Sequence, residues 1–241
     1  RVIIEEFLEG QEMSLFLAID QSQIKIIGSA QDYKRAFEGD KGPNTGGMGA
    51  FSPSPLANDN LNEKIITTII KPTLDYLNEK KIPFSGILYA GLIIKNGNPK
   101  LIEYNVRFGD PECQVLCTRL GAQILDILLC GAENKLSDIS INLADDLALT
   151  VVVSAVGYPK TVNRDIDITN IVNQKYNDSV YVFHAGTYMD GDILRNSGGR
   201  VFNFTSRGID LKEIRRLIYS ELRKVNNKKL FYRMDIGEKS S

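Results

Sequence analysis

The run Leu101-Ile102-Glu103-Tyr104-Asn105-Val106-Arg107-Phe108-Gly109-Asp110-Pro111-Glu112 places Glu103, Asn105 and Arg107 at every second position. On an extended strand these three side chains leave one face. A carboxylate and an amide oxygen are hard donors suited to Mg2+, which takes one or two protein oxygens together with substrate phosphates. A guanidinium two residues on is able to clamp an oxyanion through paired hydrogen bonds. The same alternation also describes an edge strand with a solvated polar face. The surrounding chain bears on the choice.

Upstream, the apolar stretches 87–94 and 100–105 are joined through Asn96-Gly97, a strong hairpin signal that delivers the 103, 105, 107 face. Downstream, the spacing of Val115, Leu116, Leu120, Ile124 and Leu128 predicts one helix over 112–129, with Gly131 as its stop. Further upstream, apolar residues at 65, 66, 69, 70, 74 and 77 predict a helix over 61–81 that Pro72 should kink or divide. The chain opens with expected strands at 2–7, 13–20 and 23–29, turning at Gly10 and around 20–23.

Between these lies a stretch, 32–55, with five glycines and three prolines, centred on Gly42-Pro43-Asn44-Thr45-Gly46-Gly47-Met48-Gly49. A loop of that length in a compact protein is usually functional or disordered. Its glycines suit a nest of backbone N–H groups around a phosphate, with Lys34, Arg35 and Lys41 adding positive charge; a flexible lid is the other reading. It is not a Walker loop, and no Gly-x-Gly-x-x-Gly opens a helix. The polar, acidic segment 132–146 marks a domain boundary, giving domains 1–135 and 136–241. The second reads as a small α+β domain, with strands at 148–156, 180–183 and 201–205 and a closing helix over 211–225 whose core face is Ile214, Leu217, Ile218 and Leu222.

The 241 residues are 43% hydrophobic, enough for a sizeable core, and 29 basic against 30 acidic side chains leave a net charge of −1. No bulk field then favours nucleic acid or an anionic membrane, and neither is an expected partner. The most apolar runs, 65–70 and 87–94, fall far short of a bilayer span, so a cytoplasmic location is expected. Three cysteines, Cys113, Cys117 and Cys130, are an odd count, and the one histidine lies far along the chain from them, which argues against a four-ligand zinc site; the thiols are expected to be buried. His184, in Phe183-His184-Ala185-Gly186-Thr187, is the one imidazole and so a candidate acid or base, but a lone histidine at a strand end is more often structural. In Ile4-Glu5-Glu6-Phe7-Leu8-Glu9-Gly10-Gln11-Glu12, backbone groups suit a purine edge and Glu12 suits ribose hydroxyls; solvent-facing acids around a tight turn are the plainer account.

Taken together, Glu5-Glu6-Phe7-Leu8-Glu9-Gly10, Gln31-Asp32-Tyr33-Lys34-Arg35, the run from Gly42 through Ala50, Glu103 through Glu112 and Phe183-His184-Ala185-Gly186-Thr187 resemble phosphoribosylamine–glycine ligases, also called glycinamide ribonucleotide synthetases, of the ATP-grasp superfamily. The resemblance covers nearly the whole chain. It implies an α+β fold class: the larger ATP-grasp subdomain, an antiparallel sheet with helices, followed by a small carboxy-terminal domain. It implies ATP-dependent joining of glycine to 5-phosphoribosylamine through a glycyl phosphate, in purine biosynthesis. ATP and Mg2+, with Mn2+ as a substitute, are the implied small molecules. Glu103 and Asn105 are the implied metal ligands, and Arg107 and Asp110 the implied catalytic residues. Glu5, Glu6, Phe7, Leu8 and Glu12 are the implied nucleotide contacts. Asp32, Lys34, Arg35, Asn44, Thr45, Gly46 and Gly47 are the implied substrate side. Many ATP-grasp enzymes add an acidic metal ligand on the preceding hairpin strand, where Leu88-Tyr89-Ala90 here offers none. The resemblance also places further amino-terminal parts ahead of Arg1, so the chain is expected to be a piece of a longer enzyme, inactive alone. The alternative is a nucleotide-binding or docking module completed by a separate amino-terminal half.

Overall fold

The structure, a computed structural model, describes residues 2–21 and 23–238. Its first elements are strands β1 (Gln11–Ile19), β2 (Ile24–Asp32), β3 (Arg35–Phe37), β4 (Lys41–Asn44) and β5 (Gly49–Ser52). Helix α1 (Asp59–Ile65) passes through a π-helical turn (Ile66–Ile70) into α2 (Lys71–Glu79). Next come β6 (Gly86–Lys95), β7 (Asn98–Asn105), α3 (Glu112–Leu120) and α4 (Gln123–Ala132). The remainder is β8 (Leu147–Ala155), the short α5 (Thr169–Val172), β9 (Tyr181–His184), β10 (Thr187–Asp190), β11 (Ile193–Asn196), β12 (Arg200–Gly208), α6 (Leu211–Leu222) and β13 (Leu230–Phe231). These elements form two compact units: the described residues of Arg1–Gln31, Pro53–Gly109 and Ala122–Asn142, and those of Asp32–Ser52, Asp110–Gly121 and Leu143–Ser241.

In the first unit the antiparallel order is β7-β6-β1-β2. Met13, Leu15, Leu17 and Ile19 of β1 form a core with Leu88, Ala90, Leu92 and Ile94 of β6, closed by Leu61, Ile65 and Ile70 from the helical segment. Each such side chain taken from water contributes about 1.5–3 kcal/mol before the entropy of ordering is set against it. The β6–β7 turn forms as its Asn-Gly pair requires: Asn96 and Gly97 both have positive φ, 52° and 70°, which matches the twist of the strands they join. Asn58 caps α1 by accepting the Leu61 N–H at 3.0 Å. Pro72 divides the helix as expected. Its ring would clash with the carbonyl one turn back, and the wider π turn immediately before it, with Lys71 N–H bonded to Ile66 O, relieves that conflict.

Two expectations up to residue 132 are corrected. Residues 2–7 are not a strand; Val2, Ile3, Ile4 and Phe7 are exposed, and no ladder pairs with them among the described residues. Exposed ion pairs accompany this segment instead, Glu6 with Lys100 at 2.5 Å and Glu9 with Lys95 at 2.7 Å. The helix expected over 112–129 is two helices, because Gly121 takes φ 58° and ψ −138° and ends α3. The break resets the helical phase, so Ile127 is buried in α4 whereas Leu128 is exposed.

In the second unit the antiparallel order is β5-β8-β12-β9, and β13 pairs with the end of β8. β8 is buried almost throughout, and its Leu149, Val151 and Val153 join Phe202 and Phe204 of β12 in the core. Asp210 caps α6 by accepting the Lys212 N–H at 2.7 Å, and Ile214, Ile218 and Leu222 face inward at the expected spacing. Leu217 is half-buried and packs against the same core, and Tyr219 is buried as well; its hydroxyl donates to Arg233 O at 2.7 Å. The glycine-rich stretch is not a loose loop. It is the β3–β4 hairpin followed by the fully buried strand β5. The β10–β11 hairpin was hidden in a polar stretch with too little apolar alternation to reveal it.

Candidate functional site

In the first unit, β7 carries Glu103 opposite Gly91 and Asn105 opposite Tyr89, with one extra residue bulged between Glu103 and Leu101. The two side chains share a face: Asn105 Nδ2 donates to Glu103 Oε1 at 3.0 Å. Arg107 departs from the expected alternation. The strand ends at Asn105, and Arg107 lies in the bend beyond it, exposed, donating Nη1 to Phe108 O at 2.7 Å. Glu5, Glu6, Phe7, Leu8 and Glu12 line one open cavity of about 560 Å³, so the expected nucleotide contacts are gathered in one place. Its floor is partly apolar, from Ile93 and Leu101, and Lys100 stands at its side.

In the second unit, Asp32 is nearly buried and pairs with Lys34 at 2.9 Å. Arg35 donates to Gly42 O at 3.0 Å across the β3–β4 hairpin, and Asn44 pairs with Arg35 in its ladder. The expected phosphate nest does not form at Thr45 through Met48. Thr45 N–H donates to Lys34 O (2.7 Å), Gly46 N–H to Tyr158 Oη (2.9 Å), Gly47 N–H to Thr45 Oγ1 (3.0 Å) and Met48 N–H to Tyr33 O (2.8 Å). Four successive donors are thus already bonded, because a segment entering a buried strand has to satisfy its backbone within the protein. Gly47 has φ 111°, and a Cβ there would lie 2.4 Å from Pro111 Cδ. Gly47→Ala is therefore expected to cost at least about 2 kcal/mol in urea denaturation, from backbone strain and overlap together. A variant as stable as the parent would show that this segment is loose.

Asp110, the residue before Pro111, is half-exposed, accepts from Gln114 Nε2 at 3.2 Å and pairs with Arg200 Nη2 at 3.0 Å. Arg200 also donates to the carbonyls of Gly46 and Asp110. Neither Arg200 nor Tyr158 was among the residues expected from sequence; the Gly198-Gly199 pair just before Arg200 is the local signal that marks the place. His184 is exposed, with Nδ1 3.0 Å from Thr187 Oγ1 and its ring edge-on to Phe202. The cysteines are half-buried rather than buried, and all are free; Cys113 and Cys117 stand 3.7 Å apart, and that contact together with burial pushes the Cys113 thiol up.

The described residues contain no group of three or more His, Cys, Asp or Glu able to hold a metal ion. The Glu103–Asn105 pair still fits Mg2+, which needs few protein oxygens when substrate phosphates and water complete its shell.

The antiparallel sheet of the first unit, with helices packed on it, is that of an ATP-grasp domain, whose family model matches this part of the chain. The biotin carboxylase domain of the Hydrogenobacter thermophilus 2-oxoglutarate carboxylase, solved with MgADP and bicarbonate, shares the fold: TM-score 0.62, 14% identity, 92% of this chain and 47% of that one. Residues 1–113 match the phosphoribosylglycinamide synthetase ATP-grasp (A) domain and residues 148–239 match the C domain of the same synthetase. The chain belongs to the phosphoribosylglycinamide synthetase family. A phosphoribosylamine–glycine ligase from Brucella melitensis is 42% identical over 236 residues, 98% of this chain and 55% of that protein. The crystal structure of the Thermotoga maritima phosphoribosylamine–glycine ligase superposes with TM-score 0.86 at 31% identity, over 96% of this chain and 57% of the other. The chain thus spans about half the length of the relatives it matches.

Proposed function

We propose that this chain is part of a carbon–nitrogen ligase that joins glycine to 5-phosphoribosylamine at the expense of ATP in purine biosynthesis. The γ-phosphoryl group passes from ATP to a glycine carboxylate oxygen, giving glycyl phosphate and ADP. The phosphoribosylamine nitrogen then attacks the acyl carbon, phosphate leaves, and glycinamide ribonucleotide forms. The observation that carries this reading is the Glu103–Asn105 pair at the end of β7, in a chain of this family.

Phosphoryl transfer needs mainly positioning and charge neutralisation. Glu103 and Asn105 would hold Mg2+, or Mn2+ in its place, and the ion would neutralise phosphate charge. Arg107, exposed and donating to the neighbouring Phe108 carbonyl, would turn to the transferring phosphoryl or the acyl phosphate. Glu5, Glu6, Phe7 and Leu8 would receive adenine in the cavity they line, and Glu12 the ribose. Asp32, Lys34, Arg35, Asn44, Thr45, Gly46 and Gly47 would face the glycine and phosphoribosylamine side, with Asp110 receiving an amine. Because the backbone donors at Thr45, Gly46 and Gly47 are already bonded, their proposed role is to shape the wall, and the positive charge falls to Lys34 and Arg35.

We place the domain division near residue 135 and the action in the cytoplasm; no single described helix is long and apolar enough to cross a membrane. The rest of the relatives' length would complete the enzyme. The test is glycine- and 5-phosphoribosylamine-dependent ADP release, by this chain alone and with the remaining half of the protein supplied. Activity dependent on both substrates only after reconstitution is the expected result. A folded, reconstituted complex without it would sink the ligase reading and leave a binding or docking module.

A further inference from the structure

We propose that Arg200 is a positioning residue for this reaction, holding Asp110 and the Gly46-Gly47 peptide in fixed register. The inference rests on the reading above that these residues face the substrates. Arg200 opens β12 and its side chain is only 20% exposed. Its Nη1 donates to Gly46 O at 2.7 Å and to Asp110 O, and lies 3.5 Å from Gly47 O, while Nη2 meets Asp110 Oδ2 at 3.0 Å. One guanidinium therefore ties a carboxylate to the carbonyls of a segment 154 residues away in the chain. The planar fork suits this task and an ammonium does not, because several acceptors in different directions need donors fixed relative to one another.

The neighbours are shaped for this arrangement. A Cβ at Gly46 would stand 2.9 Å from Arg200 Cζ, so glycine is what admits the guanidinium against the peptide. A Cβ at Gly199 would stand 2.1 Å from the Tyr158 ring, and Tyr158 Oη in turn accepts the Gly46 N–H. Residues 199 and 200 thus fix the two sides of the Gly46 peptide, its N–H through Tyr158 and its carbonyl through Arg200. Asp110 has one oxygen on Arg200 and the other on Gln114, yet remains 44% exposed, which holds its carboxylate still while leaving it open to a cationic amine.

Two measurements separate this inference from the ligase reading. In hydrogen–deuterium exchange on this chain, Arg200→Lys should speed exchange of residues 45–48 at least about tenfold, the loss of a charge-assisted bond being worth that much; unchanged exchange overturns the proposal whatever the activity proves to be. In the complete protein, Arg200→Lys should melt within a few degrees of the parent. It should lower kcat/KM for the glycine and amine substrates roughly ten- to a hundredfold and change the KM for ATP less than about twofold. Methylguanidinium should restore part of the activity lost in Arg200→Ala. In Asp110→Asn, adding Arg200→Lys should cost little more, since the two act as one unit. Wild-type kinetics in a folded Arg200→Lys, or fully additive losses, would overturn the positioning role, whereas an inactive parent would count against the ligase reading alone.

Discussion

Glu103→Gln in the complete protein is expected to lower turnover at least about a hundredfold while leaving the fold intact. Glutamine keeps the side chain's length and its capacity to bond Asn105, whose amide lies 3.0 Å from the carboxylate. The position is exposed at the end of an edge strand, so no buried group is stranded by the exchange. On the proposed function, what is lost is one negative charge from the pair of side chains that would hold the metal ion against the phosphates. A smaller carboxylate contribution should also show as a higher Mg2+ concentration for half-maximal rate. The measurements are steady-state turnover against Mg2+ and a thermal melt. Near-normal turnover in a folded variant would remove Glu103 from the site.

Arg233→Met should destabilise the protein by about 3–5 kcal/mol, the cost of leaving a buried charge without its partner. The guanidinium is 1% exposed and bonds Asp235 at 2.7 and 2.8 Å, Asp40 at 3.1 Å and Arg35 O at 2.8 Å. It also lies over the Tyr33 ring, with Cζ 5.3 Å from the centroid. It therefore joins the β3–β4 hairpin to residues near the end of β13. Methionine fills much of the volume but removes the charge-assisted bonds to Asp235, Asp40 and Arg35 O, and a fall in melting temperature of roughly 10 °C would follow. Burial pushes the Asp235 carboxyl up, but the bonds from Arg233 and from Gly39 N–H outweigh it and hold the carboxyl below its usual range. A depressed folded pKa means that this stabilisation is complete above the ordinary carboxylate value near about 4 and fades as pH falls through the lower folded value. The gap between parent and variant should accordingly narrow below about pH 4. A variant within about 1 kcal/mol of the parent at pH 7 would show the network to be dispensable.

The legible parts of the fold were those decided by near neighbours. Asn96-Gly97 specified its turn because both residues tolerate positive φ, and that turn set the register that carries Glu103 and Asn105. The Pro72 break was legible for the same reason, a missing donor and a ring that collides within one helical turn. The break at Gly121 was not, since the apolar spacing runs on across it and a single glycine also occurs inside helices. Arg107 was misjudged because alternation continues in the sequence after the strand has ended. The glycine-rich stretch was misjudged because its composition describes flexibility in the unfolded chain, whereas its bonding partners, Tyr158, Arg200 and Arg233, lie more than a hundred residues away.

By itself, then, the sequence determined the family, the hairpin that carries Glu103 and Asn105, and the positions of most helices and strands, because each depends on residues within one turn or one strand of each other. Only the tertiary structure decided that the donors of residues 45–48 are internally bonded, that Asp110 is held by Arg200, and that Arg233 is buried among carboxylates. Hydrogen-bond partners far apart in sequence leave no local period to read, and the low exposure that makes their charges matter exists only once the chain has folded.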